Sequence, residues 1–448
     1  MPSAQALQLP PGPKGRLGGH ALAVYRDPLG FLTRVHEQWG DLAYYQFGLQ
    51  GVAFVHQPEF VKQVLVVEHA NYTKGRALHQ AKRILGEGLL TSEGDFHHRQ
   101  RRIETPLFHQ ERIADYTRTM TSYAQRLAAR WQPGQAIDAA EEMNHLSLAI
   151  VGKTLFDADV EHEARHVGEA LMSCMDMINQ FWKPQFLNYA PSPGNLRFVR
   201  ARRRLDGIMY GMIRERQQRG GSRGDLLSML LEARDTEGDG QGMSLEQVRD
   251  EAMTIFLAGH ETTALAMAWT WYLLSQNPEA EATLHEELDR VLAGRPPTLE
   301  DVPKLAYTRQ VLAESMRLFP PAWVLTRRAR EATRFGEHDI PRGTAIVLSQ
   351  WVVHRSPKLW QDPLRFDPGR WTPEAAQARH KFSYFPFGGG PRGCIGERFA
   401  WTEGVLVIAT LAQRWKLRLA PGHVVAPEPM LTLRPKHGLR MVAEPRAR

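Results

Sequence analysis

The sequence predicts a mainly α-helical protein with small β-sheets. Apolar residues recur at intervals of three and four along most of the chain, which is the period of an α-helix. Alternating, β-branched runs are short and few, so the β component is minor. With 448 residues, 43% of them hydrophobic and 23% charged, the composition is that of an ordinary globular protein. Disordered, collagen-like and disulfide-rich classes are therefore excluded.

Charge and cysteine content narrow the functional class further. The net charge of +7 is small for this length and does not indicate a nucleic-acid partner. The two cysteines, Cys174 and Cys394, fit neither a disulfide framework nor a four-thiolate zinc site. Residues 1–20 are proline-rich and lack the apolar run of a leader, and no segment of roughly 20 residues is apolar enough to cross a bilayer. We therefore expect a soluble, cytoplasmic protein without a membrane anchor.

The strand-like segments are short. Residues 43–47 and 52–56 flank a glycine-containing turn and are predicted to form a hairpin. Residues 344–348 and the C-terminal region 430–442 have the same strand character. Helices are expected to form most of the remaining structure.

The strongest helix prediction covers residues 244–277. Ser244 and Gln247, three residues apart, form a capping-box pattern, and Pro278 ends the helix. At 1.5 Å per residue such a helix is roughly 50 Å long. Its centre reads AGHETT (258–263), where small, ionisable and hydroxyl residues are inconsistent with simple core packing. Local inconsistency of this kind is typical of a functional site.

A second local signal is the glycine-rich segment 387–396, FGGGPRGCIG, which is followed by a helical pattern. Glycines permit tight turns and a close approach of the backbone to a flat ligand. A cysteine at a helix N-terminus gains N–H donors and a favourable dipole, which stabilise its thiolate. A buried structural cysteine would account for Cys394 alone, but not for Arg392 two positions earlier.

The pattern Phe-x-x-Gly-x-Arg-x-Cys-x-Gly in this segment resembles the heme-binding loop of the cytochrome P450 family, soluble bacterial type. In that family the cysteine thiolate is the axial ligand of the iron of heme b, which here implies Cys394. The resemblance also implies the cytochrome P450 fold, with residues 1–448 as a single heme-thiolate domain and a long central helix crossing the heme. Residues 1–20 would form a proline-rich N-terminal segment.

Two further motifs extend the resemblance along the chain. In the central helix, Glu261 and Thr262 match the acid–alcohol pair that passes protons to the oxygen-activating centre. Taken alone, Thr262 would be a helical threonine bonded back to a carbonyl one turn earlier. The segment 314–317 (ESMR) matches a structural motif in which Glu314 and Arg317 join Arg370, although Gly369 stands where a glutamate is common.

Four basic residues match positions that bind the heme propionates: His97, Arg101, Arg327 and Arg392. Phe387 opens the heme-binding loop. His97 and Arg101 are four residues apart and would share one helix face, although a basic cluster at 97–102 is also typical of a solvated surface. In the same cluster, Arg99 and Arg102 are expected to be exposed and available to dock an acidic electron donor.

The resemblance implies a monooxygenase that inserts one oxygen atom of O₂ into a C–H bond of a hydrophobic substrate, such as a terpenoid, a carotenoid or a fatty acid. Electrons would come from a separate ferredoxin or flavodoxin with an NAD(P)H-dependent reductase. The residues expected near the substrate by position are all apolar: Leu89, Phe256, Ala258, Ala322, Val324 and Leu325. Two alternatives remain open, a heme-thiolate peroxygenase or isomerase and a non-catalytic heme-binding sensor.

Overall fold

The computed structural model describes residues 7–15, 19–157, 174, 192–219 and 225–446. Helices dominate, which confirms the predicted fold class. The described helices are α1 (Gly19–Arg26), α2 (Pro28–Trp39), α3 (Pro58–Lys62), α4 (Arg76–Leu85), α5 (Gly94–Glu104), α6 (Gln110–Arg130), α7 (Ala139–Phe156), α8 (Pro193–Arg219), α9 (Leu226–Glu232), α10 (Leu245–Gln276), α11 (Pro278–Leu292), α12 (Ala306–Leu318), α13 (Gln350–Val353), α14 (Pro373–Gln377) and α15 (Glu397–Ala412).

The described strands are β1 (Leu42–Phe47), β2 (Gln50–Val55), β3 (Tyr72–Lys74), β4 (Ala136–Asp138), β5 (Leu325–Ala329), β6 (Thr333–Phe335), β7 (His338–Ile340), β8 (Ala345–Leu348), β9 (Trp415–Leu419), β10 (Pro427–Pro429), β11 (Leu433–Pro435) and β12 (Arg440–Pro445). The contacts divide the chain into two compact units, each built from distant parts of the sequence.

The first unit comprises Met1–Arg76, Arg317–Arg365 and Thr372–Cys394 and contains a five-stranded sheet of order β1-β2-β8-β5-β3. Strands β1 and β2 pair antiparallel, which confirms the predicted hairpin. Strand β8 pairs parallel with β2 and confirms the strand predicted at 344–348. The sheet brings segments more than 250 positions apart into adjacent strands.

One face of this sheet is covered by an apolar cluster. Alternate residues of β2 and β8 point into it, because side chains in a strand alternate between the two faces. The cluster continues through two phenylalanines, Phe382 and Phe385, that lie just before the glycine-rich segment. The core of the first unit therefore fixes the chain where the predicted heme-binding loop begins.

The second unit comprises Ala77–Met316, Phe366–Trp371 and Ile395–Arg448. It contains helices α5 to α11 and α15, a three-stranded sheet of order β4-β12-β9 and the two-stranded β10-β11 ribbon. Strands β11 and β12 confirm the strand character predicted for the C-terminal region. Within this unit α10 packs most extensively against α7, and α15 against α6.

The long helix α10 confirms the prediction at both ends. The Gln247 backbone N–H donates to Ser244 Oγ (3.2 Å), and the Ser244 backbone N–H donates to Gln247 Oε1 (2.7 Å). The helix ends at Gln276, two positions before Pro278. Most of its side chains are buried, so it forms the core of the second unit.

Among the residues that the structure describes, no helix combines the length and the apolarity needed to cross a membrane. The predicted proline-rich segment is described over residues 7–15 and 19–20, and its other positions lie outside the described residues.

The capping box makes a testable contribution to stability. Ser244→Ala removes the hydroxyl that accepts the Gln247 N–H, and we expect the free energy of unfolding in urea to fall by about 1 kcal/mol. Ser275→Ala is the control in the last turn of the same helix, where the hydroxyl donates to the Tyr272 carbonyl. We expect this control to change stability by less than about 0.5 kcal/mol. Equal losses in the two variants would contradict the capping argument.

Candidate active site

The glycine-rich segment of the first unit forms a compact loop closed by its own backbone. The Cys394 N–H donates to the Phe387 carbonyl (2.9 Å), and the Gly393 N–H donates to the Gly390 carbonyl (3.0 Å). Gly388 and Gly390 adopt φ values of +72° and +66°, a region that side chains other than glycine rarely enter. The order of glycines in the sequence therefore determines the path of the loop.

The loop also approaches the neighbouring chain closely. A β-carbon at Gly390 would overlap the Leu65 carbonyl oxygen, and one at Gly389 would lie 2.7 Å from the Phe382 ring. Only hydrogen fits at both positions. The loop is thus pressed against the short helical turn 63–67 with no room for side chains on that face.

The two cysteines differ in their surroundings. Cys394 is exposed, and α15 begins three residues later at Glu397. Cys174 is buried, and burial raises the pKa of its thiol to about 12. Of these two cysteines, Cys394 is therefore the one whose thiol is accessible to a ligand.

Other predicted site residues of the first unit lie on or next to β5. Leu325 borders the loop, because its Cδ1 atom would be 3.6 Å from a β-carbon at Gly388. Arg327 is 7% exposed and pairs with Ile346 across the sheet. Ala322, Val324 and Arg392 are partly exposed. The first unit thus brings one predicted pocket residue, Leu325, against the predicted heme-binding loop.

In the second unit, α10 has an exposed position at its middle, away from its two exposed ends. Ala258 is exposed and Thr262, one turn later, is partly exposed, whereas most residues before and after them are buried. The Thr262 hydroxyl donates to the Ala258 carbonyl (2.8 Å), the back-bonded geometry expected for a helical threonine. Small residues and this hydroxyl therefore line an open strip on an otherwise covered helix.

His260, between these residues, is a buried histidine with a hydrogen-bond partner. Its Nδ1 atom lies 2.9 Å from the Phe256 carbonyl oxygen. Burial lowers the pKa of His260, so the ring is neutral at physiological pH. Phe256 itself is 1% exposed and packs inside the second unit.

Glu261 points away from the strip and is anchored by the C-terminal ribbon. Its Oε1 atom accepts hydrogen bonds from Thr432 Oγ1 (2.7 Å) and from Arg434 Nε (2.5 Å). The Glu261 and Thr262 side chains therefore bond to different groups. Sequence reasoning missed Thr432 and Arg434, because no local pattern links positions about 170 residues apart.

The basic helix α5 contains both predicted heme-binding residues of the second unit. His97 is 1% exposed, and Arg101, one turn later, is partly exposed. The helical register places both side chains on one face, where they can bind the same anion.

The two neighbouring arginines of α5 do not match the expected docking surface. Arg102 donates through Nε and Nη2 to both oxygens of Asp235 at 2.6 Å, and Arg99 Nη2 lies 3.3 Å from Asp239 Oδ1. The Arg99 side chain is only 18% exposed. The expectation that both are exposed is wrong for Arg99, and the aspartates balance the charge of both arginines.

The segment at the end of α12 binds to distant backbone through two fully buried side chains. In the second unit, Glu314 accepts from the Asp367 N–H (3.0 Å) and from Trp371 Nε1 (3.0 Å), and Arg370 Nε lies 3.3 Å from it. In the first unit, Arg317 donates to three carbonyl oxygens, those of His354, Pro363 and Arg365. Each side chain therefore fastens a distant segment of its own unit to the end of α12.

The residues present fit heme in each unit separately. The first unit presents an open thiol in a glycine loop whose backbone bears no side chains on its packed face. The second unit presents the open strip at Ala258 and, on α5, His97 and Arg101 as donors for carboxylate groups. A soft sulfur donor, small residues and cationic donors are what a flat iron porphyrin with two propionates requires.

The close approach at Gly390 can be separated from backbone strain. Gly422 has a similar φ of +75°, but nothing lies within 4 Å of a β-carbon there. We expect Gly422→Ala to lower the free energy of unfolding by about 1 kcal/mol through strain alone. Gly390→Ala should lower it by about 2 kcal/mol more, because the Leu65 backbone must also move. Equal losses in urea unfolding would contradict the proposed close packing.

Comparisons with known proteins agree on one family. A family model described as Cytochrome P450 matches residues 10–441. Cyclooctatin synthase of Streptomyces melanosporofaciens is 41% identical over 437 residues, which cover 96% of this chain and 94% of that protein. Cyclooctat-9-en-7-ol 5-monooxygenase of the same organism is 39% identical and covers 90% and 88%. Pentalenene oxygenase of Streptomyces avermitilis is 34% identical and covers 94% of each chain.

A solved structure, the heme domain of cytochrome P450DA, matches with a TM-score of 0.89 and 27% identity over 99% of both chains. The fold, the family model and the relatives therefore agree with the chemistry of the thiol loop. The chain belongs to the cytochrome P450 family and is a monooxygenase that uses heme b, O₂ and electrons from a redox partner.

Proposed function

We propose that this monooxygenase hydroxylates a terpenoid. The main support is the high identity, over nearly the full length, to two proteins whose names specify oxidation of such compounds, a cyclooctat-9-en-7-ol 5-monooxygenase and a pentalenene oxygenase. The apolar character of the predicted pocket residues agrees with a hydrocarbon substrate. Among the predicted substrate classes, the relatives favour terpenoids over fatty acids.

We propose that Cys394 would hold the heme iron through its thiolate. When bound, the heme supplies activation of O₂ and transfer of one oxygen atom to a C–H bond. The exposed thiol, the closed glycine loop and the start of α15 together favour an anionic sulfur held in a fixed direction. His97, Arg101, Arg327 and Arg392 are assigned to hold the propionates, and Phe387 closes the loop by accepting the Cys394 N–H.

Thr262 and Glu261 are assigned to proton delivery. Thr262 Oγ1 holds a proton that it donates to the Ala258 carbonyl, and rotation of the hydroxyl can present it to the open strip. The Glu261 contacts with Thr432 and Arg434 end on Oε1, and they hold the carboxylate in one position on α10.

We assign Glu314, Arg317 and Arg370 to structural support, because their bonds end on backbone and buried side chains. For the redox partner we propose a ferredoxin or a flavodoxin with an NAD(P)H-dependent reductase, in line with the bacterial relatives. The balanced charges of Arg99 and Arg102 do not support their selection as docking cations, so other basic residues must serve.

A ligand panel tests the terpenoid proposal. We expect cyclooctat-9-en-7-ol and pentalenene to displace the iron-bound water of the purified holoprotein, seen as a spin-state change in the heme spectrum. Long-chain fatty acids and carotenoids serve as the competing classes, and amino acids as the polar control. A spectral response to fatty acids or polar ligands, with none to the terpenoids, would refute the proposal.

The proton-delivery assignment predicts a specific defect. Thr262→Ala should keep heme and substrate binding but lower the product formed per NAD(P)H by about tenfold or more, with hydrogen peroxide as the main product, because proton transfer by positioned groups contributes at least that factor. Thr270→Ala is the matched control, since its hydroxyl makes the same back-bond to Ala266 (2.8 Å) in the same helix. Unchanged coupling in Thr262→Ala, or equal uncoupling in the control, would remove Thr262 from proton delivery.

A further inference from the structure

A loop between α4 and α5 is fastened to the start of α10 through its backbone. This 86–92 loop includes Leu89, one of the predicted pocket residues. The Glu87 N–H donates to Asp250 Oδ2 (2.8 Å), and the Leu89 N–H donates to Glu251 Oε2 (2.7 Å). Two consecutive carboxylates of α10 thus bind two alternate amides of the loop.

The loop lies directly on the helix. A β-carbon at Gly88 would overlap Thr254 Oγ1 and would lie 2.7 Å from the Asp250 carbonyl oxygen. Gly86 has a φ of +54°, and a β-carbon there would overlap the Asp250 carboxylate. Glycine at both positions permits an approach that no other residue allows, so the fastening is a built feature of the loop.

The charges of Asp250 and Glu251 are stabilised in different ways. Asp250 Oδ1 lies 2.8 Å from Arg249 Nη1, which balances its charge. Glu251 accepts from Gln100 Nε2 (3.0 Å), and it faces the carboxyl of Glu104 on α5, whose two buried oxygens have no hydrogen-bond donor among the described residues. Glu104 and Glu251 are each 0% exposed. Two carboxyl groups in contact inside a protein cannot both ionise, so they share a proton.

The state of the pair follows from its surroundings. Burial raises the pKa of Glu251 to about 7. The hydrogen bonds from Glu104, Leu89 and Gln100 lower this pKa, and the nearby charge of Asp250 raises it further. Burial and then the Glu251 charge raise the pKa of Glu104 well above its ordinary value, against the weaker effect of Arg101. The pair therefore keeps a proton to a higher pH than two separate carboxyl groups in water would.

We propose that Glu251 is a positioning residue that holds the 86–92 loop, and with it Leu89, at the substrate pocket, and that the proton shared with Glu104 controls how firmly the loop is held. The placement of Leu89 at the pocket rests on the proposed function. The contact itself is independent of the substrate.

The direction in which loop docking depends on pH follows from the difference in bound protons between the docked and the open loop. Opening the loop hydrates the pair and returns both carboxyl groups toward their ordinary, lower pKa values. The docked loop therefore holds protons that the open loop releases, and docking is strongest at low pH. Wherever the docked pair holds one proton and the open pair none, opening the loop releases that proton. The equilibrium constant for opening then rises about tenfold per pH unit.

Hydrogen exchange of the Leu89 amide in the substrate-free holoprotein measures this opening. As the pH rises above 7 we expect its protection factor, corrected for the intrinsic rate, to fall, by about tenfold per pH unit where one proton is released. In Glu104→Gln the amide NH₂ replaces the carboxyl donor and cannot ionise, so protection should remain and the slope should vanish. A flat profile in the unaltered protein, or an unchanged slope in Glu104→Gln, overturns the proposal.

Two further variants test whether the pH dependence comes from the Glu104–Glu251 pair or from any buried carboxyl group. Glu251→Ala, checked for folding by its heme spectrum, removes the acceptor, and Leu89 protection should be lost at every pH. Glu403→Gln is the matched control, because Glu403 is another fully buried carboxyl, on α15, that is bonded by Ser147 (2.6 Å). Glu403→Gln should keep the slope of the unaltered protein. Loss of the slope in this control would overturn the assignment to the Glu104–Glu251 pair.

Binding of a candidate substrate tests whether Glu251 positions the 86–92 loop at the pocket. Cyclooctat-9-en-7-ol at ten times its Kd should raise Leu89 protection about tenfold if it binds only with the loop docked. Bound ligand without added protection overturns the positioning role. If this ligand does not bind at all, the result counts against the terpenoid proposal. The pH dependence of Leu89 protection then still decides whether the Glu104–Glu251 pair controls the loop.

Discussion

The central helix α10 places charged and polar side chains inside the second unit, and each of them needs a partner there. An unpaired charge in a protein interior carries a desolvation penalty of several kcal/mol. Arg249 contacts Asp206 on α8, Asp250 and Glu251 bind the 86–92 loop, and Glu261 binds the C-terminal ribbon. The polar residues of one helix thereby fix the segments around it. If the surface of α10 were apolar throughout, the helix would still pack, but no ion pair or hydrogen bond from it would position these segments.

The path of the thiol loop in the first unit is determined by a steric constraint. Its glycines supply left-handed conformations and a surface without side chains, and the apolar cluster that includes Phe382 and Phe385 supports it. Cys394 follows at the exposed end of this rigid segment.

Two acidic residues of α10 have different partners. Glu261 is oriented by a cation and a hydroxyl that bind one of its oxygens. Glu251 shares a proton with a second carboxyl and holds the 86–92 loop against α10. In both cases a buried carboxylate is stabilised by several donors, and the identity of those donors determines what the carboxylate can do.

Local patterns in the sequence were sufficient for the helical class, the bounds of α10, the β1–β2 hairpin and the thiol loop, because capping boxes, turn residues and glycine conformations depend on neighbours within a few positions. The same locality explains the prediction that Thr262 bonds back to Ala258. The partners of buried charges were decided only by tertiary structure: Arg434 for Glu261, Glu104 for Glu251, and Asp235 for Arg102. Ion pairs and shared protons depend on distances across the fold, and residues more than a hundred positions apart along a chain carry no local signal of their contact.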